Sequence, residues 1–294
     1  MGQQVNWLNK DKIVYRLRID CADCLDAKMM GQSRLLVLIF ACGITSAAAS
    51  HKRGIAKANL QEHQLHALKQ GVSWGYNWEL NPRMQWNRAH MDFFPMVHNN
   101  NFPRNAGGGQ FRALLGFNEP DIHHQAAMNP WHAAAIWPEV ERVARNYGVQ
   151  TLVSPAMCGD IGKGTWWMGE FLKACKGCRV DAVAIHSYWC SLSGLQNLVE
   201  NYKKFGKKIW LTEFACADQN YDVSMQGQIK FMKEVVPWLE REPAIEKYLE
   251  NQNYAEKLVL LGATVLVPTY YRRYCMILHL GGVRLSYTKT VPKQ

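Results

Sequence analysis

The sequence contains no run of about 20 apolar residues, the length that a helix needs to cross a bilayer. It also has no long block of like charge. Lys and Arg outnumber Asp and Glu by 34 to 24, a net charge of +10, but they are scattered, with short clusters such as Lys203-Lys204 and Lys207-Lys208. We interpret these clusters as a solvated helix end. The composition therefore argues against a membrane-spanning chain and against a nucleic-acid partner.

Two motifs that would indicate a bound cofactor are incomplete. Gly107-Gly108-Gly109 is not followed by the Gly-Lys-Ser/Thr of a phosphate-binding loop. Cys175 and Cys178 have the spacing of a zinc knuckle, but no second Cys or His pair completes a site. The sequence therefore implies neither a metal nor an organic cofactor.

Residues 34–49 have the pattern of a secretory signal. Arg34 precedes the apolar run Leu35 to Ile44, and small residues then lead to Ala47-Ala48-Ala49, which fits an A-x-A cleavage site. Met29 and Met30 stand where such a signal would begin. The alternative is a cytosolic tail followed by a buried helix.

This pattern predicts three segments. We interpret residues 1–28 as an extension upstream of the true start, residues 29–49 as a signal peptide, and residues 50–294 as the mature chain. We expect a monomer that is secreted, extracellular or in the cell wall, with no membrane attachment after cleavage.

Secretion changes how the cysteines are interpreted, because an oxidising compartment favours disulfides. From residue 50 onward six cysteines remain: Cys158, Cys175, Cys178, Cys190, Cys216 and Cys275. We expect a local disulfide between Cys175 and Cys178. A redox-active pair is less favoured, since no thioredoxin-like pattern surrounds it.

From residue 51 the chain alternates short apolar runs with helical stretches, which predicts an α/β fold, the (β/α)₈ or TIM barrel. Seven strand–helix units precede residue 242, and an eighth strand could begin at Ala244–Leu249. The predicted strands are Arg53–Lys57, Val72–Asn77, Asp92–His98, Ala113–Asn118, Thr151–Pro155, Asp181–His186 and Lys208–Glu213. The predicted helices are Gln61–Gln70, Trp131–Tyr147, Thr165–Ala174, Leu195–Phe205 and Met225–Arg241.

Two of these strands end on a glutamate, the fourth at Glu119 and the seventh at Glu213. A carboxylate after four apolar residues is costly unless it faces the open mouth of the barrel. Strands four and seven lie across the barrel from each other, so the carboxylates can converge to the ~5 Å that a retaining glycosidase requires. The charge on one glutamate should hold a proton on the other, so we expect a raised pKa for Glu119.

These motifs carry a family resemblance. Gly116-Phe-Asn-Glu-Pro-Asp121 and Trp210-Leu-Thr-Glu-Phe-Ala215 resemble the strand-four and strand-seven motifs of the retaining-glycosidase clan. More narrowly, residues 51–241 resemble glycoside hydrolase family 128, the endo-β-1,3-glucanases. Supporting stretches are Lys52-Arg-Gly-Ile-Ala56, Trp74-Gly-Tyr-Asn-Trp78, Phe94-Pro-Met-Val97, Ser154-Pro-Ala156 and Asp181-Ala-Val-Ala-Ile-His-Ser-Tyr188.

The resemblance implies a mechanism and a set of contacts. It implies that Glu119 is the acid/base, that Glu213 is the nucleophile and that Asn118 binds the sugar 2-hydroxyl. His186 and Tyr188 would line the same mouth; packing in the core is the alternative for each. The strand-end position of Asn77 suggests a polar anchor. Trp74, Trp78 and Trp167 are candidate floors for glucose units, although only one of the adjacent pair Trp166 and Trp167 is expected to face the cleft.

Residues 249–294 depart from the family pattern. Leu258–Val267 could be a strand or part of a strand–helix unit, and closure of the barrel is in doubt. The leading function is therefore a retaining β-1,3-glucanase with a β-glucan as its partner. The alternatives are a non-catalytic β-glucan-binding barrel and a clan relative that acts on another β-linked glycan, such as mannan or xylan.

The interpretation of residues 29–49 predicts a defined mature N-terminus. Secreted protein should begin near Ser50, because the A-x-A site ends an apolar segment of signal-peptide length. N-terminal sequencing of the secreted material measures this. An intact Met1 on a functional protein would contradict both cleavage and secretion.

Overall fold

The computed structural model describes residues 50–69, 71–83, 85–102 and 109–251, together with the backbone of three strands near the termini. The chain divides into two compact units, one of residues 47–267 and the other of residues 1–46 with 268–294. None of the helices in the described residues combines the length and apolar character needed to cross a membrane.

The larger unit is built on eight parallel strands in a (β/α)₈ arrangement, as predicted. In chain order they are β1 (Ser50–Ala56), β2 (Val72–Tyr76), β3 (Asp92–Phe93), β4 (Ala113–Leu114), β5 (Thr151–Met157), β6 (Ala182–Ser187), β7 (Lys208–Phe214) and β8 (Ile245–Asn251). The pairing runs β3-β2-β1-β8-β7-β6-β5-β4. A bridge between Met96 and Leu115 joins the two ends of that order, so the ring closes.

Five α-helices lie in the connections: α1 (Glu62–Leu68), α2 (Pro130–Asn146), α3 (Ile161–Ala174), α4 (Leu192–Lys203) and α5 (Met225–Arg241). The prediction of a helix in every unit is wrong for β2, which is followed by the 3₁₀ turn Trp86–Ala89. It is also not met after β3, where the described parts of the connection contain no helix. Helices α2 to α4 each begin at a side-chain cap, from Asn129, Asp160 and Ser191.

The third and fourth strands are shorter than predicted, because their pairing is interrupted. Pro95 has no N–H to donate to a ladder. Its carbonyl instead accepts from Leu115 N–H at 2.9 Å, and Val97 N–H donates to the Leu115 carbonyl at 2.9 Å. The segments therefore still lie side by side beyond the ends of β3 and β4.

The eighth strand closes the barrel through a buried polar network. Tyr248 in β8 pairs in register with Arg53 in β1. Arg53 Nε donates to the Tyr248 hydroxyl at 2.9 Å, and both side chains donate to Glu240 Oε1 in α5 at 2.6 Å. Two strands and a helix are thereby tied together, and the expected doubt about closure of the barrel is not borne out in the described residues.

The smaller unit contains a three-stranded antiparallel sheet in the order Gln4–Leu8, Val14–Cys21, Val283–Lys289. Its pairings include Leu8 with Val14 and Val283 with Cys21. The rest of the predicted extension, the predicted signal peptide at 29–49 and the candidate strand Leu258–Val267 lie outside the described residues. Cleavage near Ser50 stays a prediction.

Candidate active site

Glu119 follows β4 at the point where the chain leaves the barrel wall. Asn118 N–H donates to the His98 carbonyl and Glu119 N–H to the Ala156 carbonyl, both at 2.9 Å, so this segment is held between its neighbours. Glu119 has φ +43°, in the left-handed region that costs a residue with a Cβ about 1–3 kcal/mol. The flanking hydrogen bonds maintain this conformation, which sets the direction of the carboxylate.

Glu213 lies in β7 with only 4% of its surface exposed, and three aromatic side chains surround its carboxylate. Trp78 Nε1–H donates to Oε1 at 2.7 Å, and the Tyr76 hydroxyl lies 3.1 Å from the same oxygen. The single hydroxyl hydrogen of Tyr76 is shared between Glu213 and the nearer Thr212 carbonyl at 2.9 Å. The Tyr188 hydroxyl donates to Oε2. Donors on both oxygens fix the orientation of the carboxylate.

His186 lies between the two glutamates and its side chain is fully buried. Its Nδ1 is 2.6 Å from Glu119 Oε1 and its Nε2 is 3.7 Å from Glu213 Oε1. Nε2 has no hydrogen-bond partner among the described residues. The imidazole therefore lies at the mouth, as predicted, and is buried within the site itself. The alternative of a satisfied histidine in the core does not hold, because Nε2 has no hydrogen-bond partner among the described residues.

One oxygen of Glu119, one oxygen of Glu213 and one nitrogen of His186 lie within 4.8 Å of one another. This separation fits the short distance of retaining glycosidases better than the ~6.5–9.5 Å of inverting ones. The same three atoms form the one cluster in the described residues that could ligate a metal. Glu213 already accepts from Trp78 and Tyr188, and hydrolysis by two carboxylates requires only water.

The imidazole changes the expected charge distribution. Burial tends to raise the pKa of Glu119, but the hydrogen bond and charge of His186 outweigh it, and the pKa lies below its ordinary value. Burial tends to lower the pKa of His186, yet the charge of Glu213 and the Glu119 hydrogen bond raise it. The prediction of a raised Glu119 pKa is therefore wrong for the free protein, because the sequence did not reveal the contact with His186.

Asn118 and Cys158 complete the surroundings of Glu119. Asn118 is 3% exposed, and its Nδ2 donates to Gln125 Oε1 at 3.2 Å, while Oδ1 has no partner among the described residues. The Cys158 thiol hydrogen-bonds the Glu119 carboxyl, and burial raises its pKa to about 12. An unpaired buried acceptor is costly, so Asn118 Oδ1 is suited to receive a ligand hydroxyl.

Two predicted aromatic contacts are wrong. Trp74 is 1% exposed, stacks on Phe94 at 5.0 Å and donates to the Lys52 carbonyl. Its ring occupies the space above Gly54, where a Cβ would lie 2.3 Å from the indole. Trp167 is 2% exposed and donates to the Met128 carbonyl, while the adjacent Trp166 is 53% exposed. Neither Trp74 nor Trp167 can therefore form the floor of a subsite.

The loop after β2 has a different role from the predicted one. Asn77 uses both of its polar atoms within the loop, donating to the Asn81 carbonyl at 3.0 Å and accepting from Glu79 N–H at 3.1 Å. Asn77 is also only 4% exposed, which counts against a role as an anchor for sugar. Trp78 has φ +63°, and its indole N–H contacts Glu213. Asn77 thus orients the loop that brings Trp78 to the carboxylate.

Sequence reasoning missed Tyr76 and His98. Tyr76 lies on the same strand face as Trp74 and Trp78 by the two-residue period of a strand, so alternation could have indicated it. Its pKa is well above its usual range, because it is buried and faces Glu213. His98 follows the third strand, and burial lowers its pKa while the charges of both glutamates oppose the shift.

Two disulfides are present in the described residues. Cys175 pairs with Cys178, as predicted, and Cys190 pairs with Cys216. The second bond joins the segment after Tyr188 to the segment after Glu213. Cys216 is also held by Gln228 of α5, which accepts from its N–H at 3.1 Å and donates to its carbonyl at 2.6 Å. Cys158 is a free thiol.

Comparison with known proteins places these features in a family. The family model described as "Glycosyl hydrolase catalytic core" matches residues 54–260, and the chain belongs to this family of glycosyl hydrolases. A family 128 subgroup II endo-β-1,3-glucanase from Sorangium cellulosum is 35% identical, with a TM-score of 0.60 over 68% of this chain and 88% of that one. The predicted resemblance to glycoside hydrolase family 128 is confirmed.

Two further proteins are similar to this chain at lower sequence identity. Alkali-sensitive linkage protein 1 of Schizosaccharomyces pombe is 30% identical over 62% of this chain, and the match spans only 34% of that protein's length. A family 128 oligosaccharide-binding protein from Cryptococcus neoformans is 20% identical, with a TM-score of 0.58 over 69% of this chain and 83% of its own. This last likeness is one of fold alone.

The contact between His186 and the glutamates predicts a measurable titration. His186 should keep its proton above the ordinary imidazole range of about 6.5 in the free protein. Glu119→Gln should lower that pKa, because one neighbouring negative charge is lost while burial remains. Imidazole ¹⁵N chemical shifts followed against pH measure it, and the exposed His124 is the internal control. An unchanged or higher His186 pKa in the variant would contradict this account.

Proposed function

We propose that the chain is a secreted, retaining β-1,3-glucanase in which Glu213 is the nucleophile and Glu119 the acid/base. The observation that carries the proposal is the buried cluster of Glu119, His186 and Glu213, with one ligand atom of each within 4.8 Å of the others. A protein that only bound sugar would have no need of two carboxylates buried this close together, since each is costly to desolvate.

In the first step the ionised Glu213 attacks the anomeric carbon. The bond to the leaving oxygen breaks, and a proton passes from Glu119 to that oxygen, which leaves a covalent glycosyl–enzyme. Trp78 donates to Glu213 Oε1, the Tyr76 hydroxyl lies 3.1 Å from the same oxygen, and Tyr188 donates to Oε2. These contacts align the carboxylate before the substrate arrives.

The proton for this step is held jointly by Glu119 and His186. In the free protein the imidazole retains it, since its pKa is raised by Glu213 and by the hydrogen bond to Glu119. The 2.6 Å contact allows the proton to move to Glu119 as negative charge develops on the leaving oxygen. In the second step Glu119 removes a proton from water, the water oxygen bonds to the anomeric carbon, and Glu213 is released.

Asn118 supplies the contact that favours the transition state. Its buried Oδ1 lacks a partner among the described residues and can accept the sugar 2-hydroxyl. Hydrogen bonds to that hydroxyl strengthen as the ring becomes cationic, and they supply several kcal/mol in glycosidases of this type. Gln125 fixes the amide from its other side.

The substrate class and the location rest on different observations. A β-1,3-glucan is the substrate type named for the Sorangium cellulosum relative, which is also endo-acting. Secretion rests on residues 34–49 and is supported by the two disulfides, which persist in oxidising compartments. No metal or organic cofactor enters the proposed reaction.

The sequence analysis left two alternatives to a β-1,3-glucanase. A β-glucan-binding barrel without activity would share the fold with the Cryptococcus neoformans protein. A clan relative acting on mannan or xylan would share the two glutamates. The density of donors around Glu213 favours the enzyme, because sugar binding alone does not require an aligned carboxylate.

The assignment of Glu213 predicts chemical rescue. The wild type should release reducing sugar from a soluble β-1,3-glucan and little from mannan or xylan. Glu213→Ala should lose activity by several orders of magnitude, and azide should partly restore turnover of an activated aryl glycoside with inverted configuration. Reducing-sugar assays and product NMR measure these outcomes.

The control for this experiment is Glu234→Ala, a glutamate on the exposed side of α5, which should leave activity unchanged. Rescue with retained configuration would exclude Glu213 as the nucleophile. Binding to β-1,3-glucan without any release of reducing sugar would contradict the proposed glucanase and favour a non-catalytic glucan-binding protein.

The assignment of Glu119 predicts a dependence on the leaving group. Glu119→Gln should lose most activity on glucan, whose leaving oxygen must be protonated, and much less in the first step on an aryl glycoside. It should also flatten the basic limb of the kcat/KM profile, because that limb reports loss of the shared proton. Equal losses on both substrates, or an unchanged basic limb, would limit Glu119 to sugar binding.

A further inference from the structure

We propose that Trp131 and Trp166, on the outer surface of the barrel, form a second binding site for the same β-glucan polymer, separate from the catalytic mouth. We call these two side chains the aromatic pair. The glycan class rests on the proposed function, but the site itself rests on the geometry of helices α2 and α3.

The two indoles are exposed and touch each other. Trp131 is 52% exposed and Trp166 is 53% exposed, and their ring centroids lie 6.0 Å apart at an interplanar angle of 80°. This edge-to-face contact leaves a face of each ring open to solvent and creates an apolar corner. Such a corner can receive the C–H face of a pyranose ring.

The helices leave the space beside Trp166 open. Gly162 and Gly169 lie four residues before and three after it, the positions whose side chains would otherwise cover its ring. A Cβ at either glycine would have only one neighbour within 4 Å, at 3.6 and 3.8 Å, so packing does not require glycine there. Trp131 has the small residues Ala134 and Ala135 three and four positions later in α2.

The aromatic pair is also held rigidly. Trp167, next to Trp166, is buried, stacks on Phe171 at 5.5 Å and donates to the Met128 carbonyl just before α2. This inward anchor prevents α3 from rolling about its axis, and it links α3 to the start of α2. Trp166 is therefore directed outward at a fixed angle, which reduces the entropy cost of binding.

The hydrogen bonds of the tryptophans set the pair apart. Seven described tryptophans donate their indole N–H to a protein acceptor: Trp74, Trp78, Trp86, Trp137, Trp167, Trp189 and Trp210. Trp238 does not, but it packs against the core. Trp131 and Trp166 have neither core packing nor a described N–H acceptor. Their indoles are free to bind a ligand through both ring and N–H.

The exposed apolar residues favour sugar over a protein or lipid surface. Among the described residues, the large apolar side chains that stay exposed are Trp131, Trp166, Trp189, Tyr221 and Val223. Four of these five are aromatic, and none is Leu, Ile, Met or Phe. A protein or lipid contact would need a continuous apolar patch of several hundred Å², whereas a sugar ring needs one or two aromatic faces and nearby polar groups.

The position of the pair suggests how it would act. Both helices begin at the mouth end of the barrel, because each follows a strand and runs back along it. Trp131 is the second residue of α2, and Trp166 is the sixth of α3, about 8 Å from its first residue. A polymer that reaches beyond the mouth could therefore contact the pair, whereas a short oligosaccharide held in the cleft would not.

The test separates binding from hydrolysis. Particles of insoluble β-1,3-glucan are mixed with a Glu213→Gln protein, which cannot degrade them, and free protein is measured after sedimentation. Adding Trp131→Ala and Trp166→Ala should weaken this binding about tenfold, since each ring contributes a modest stacking energy. In the otherwise wild-type chain, the same two substitutions should leave kcat/KM for soluble laminarihexaose unchanged.

The first control is Tyr221→Ala, which removes an exposed aromatic side chain after β7 and should leave particle binding unchanged. The second control combines Trp131→Phe and Trp166→Phe, and this double variant should recover part of the binding. Thermal unfolding midpoints check the fold. Equal particle binding in the double Ala variant, or a parallel loss of hexaose kcat/KM, would overturn the proposal. If the wild-type chain shows no glucanase activity but the double Ala variant still loses particle binding, the second site is supported and the proposed enzymatic function is refuted.

Discussion

The position of a single imidazole, that of His186, between two buried carboxylates governs the chemistry of this barrel. His186 is fully buried, and its two nitrogens face Glu119 and Glu213. Two carboxylates this close would repel each other strongly in a desolvated site. A proton on the imidazole offsets that repulsion, and the raised pKa of His186 favours it. In the proposed mechanism this proton lies next to Glu119, the group that donates it.

This constraint extends into the barrel wall. His186 pairs in register with Glu213 across β6 and β7, and the register shifts between Ile185 and His186. Such an irregularity redirects the side chains that follow it. On the opposite side, the left-handed backbone of Glu119 is held by hydrogen bonds from its own N–H and from the preceding residue. The strained backbone of Glu119 is thus held by its neighbours, and the register shift in β6 brings His186 to the same mouth.

The sequence predicts the scaffold well and the contacts within the site less well. The alternation of apolar runs and helical stretches locates the strands and helices, and strand ends locate Glu119 and Glu213. The orientation of the side chains within the site is harder to predict, because it depends on contacts with residues distant in sequence. Trp74 and Trp78 lie four residues apart in one stretch, yet one fills the space above Gly54 and the other donates to Glu213. Only tertiary packing distinguishes two such indoles.

Closure of the ring at β8 also bears on the active site, because β8 is the neighbour of the strand that carries Glu213. Tyr248 connects β8 to Arg53 in β1 and to Glu240 in α5. Glu250 pairs with Phe214, the residue after Glu213, and the family model extends across the whole of β8 to residue 260. The position of Glu213 therefore depends on β8 through to its last residues, and the closing strand is part of what holds the nucleophile candidate in place.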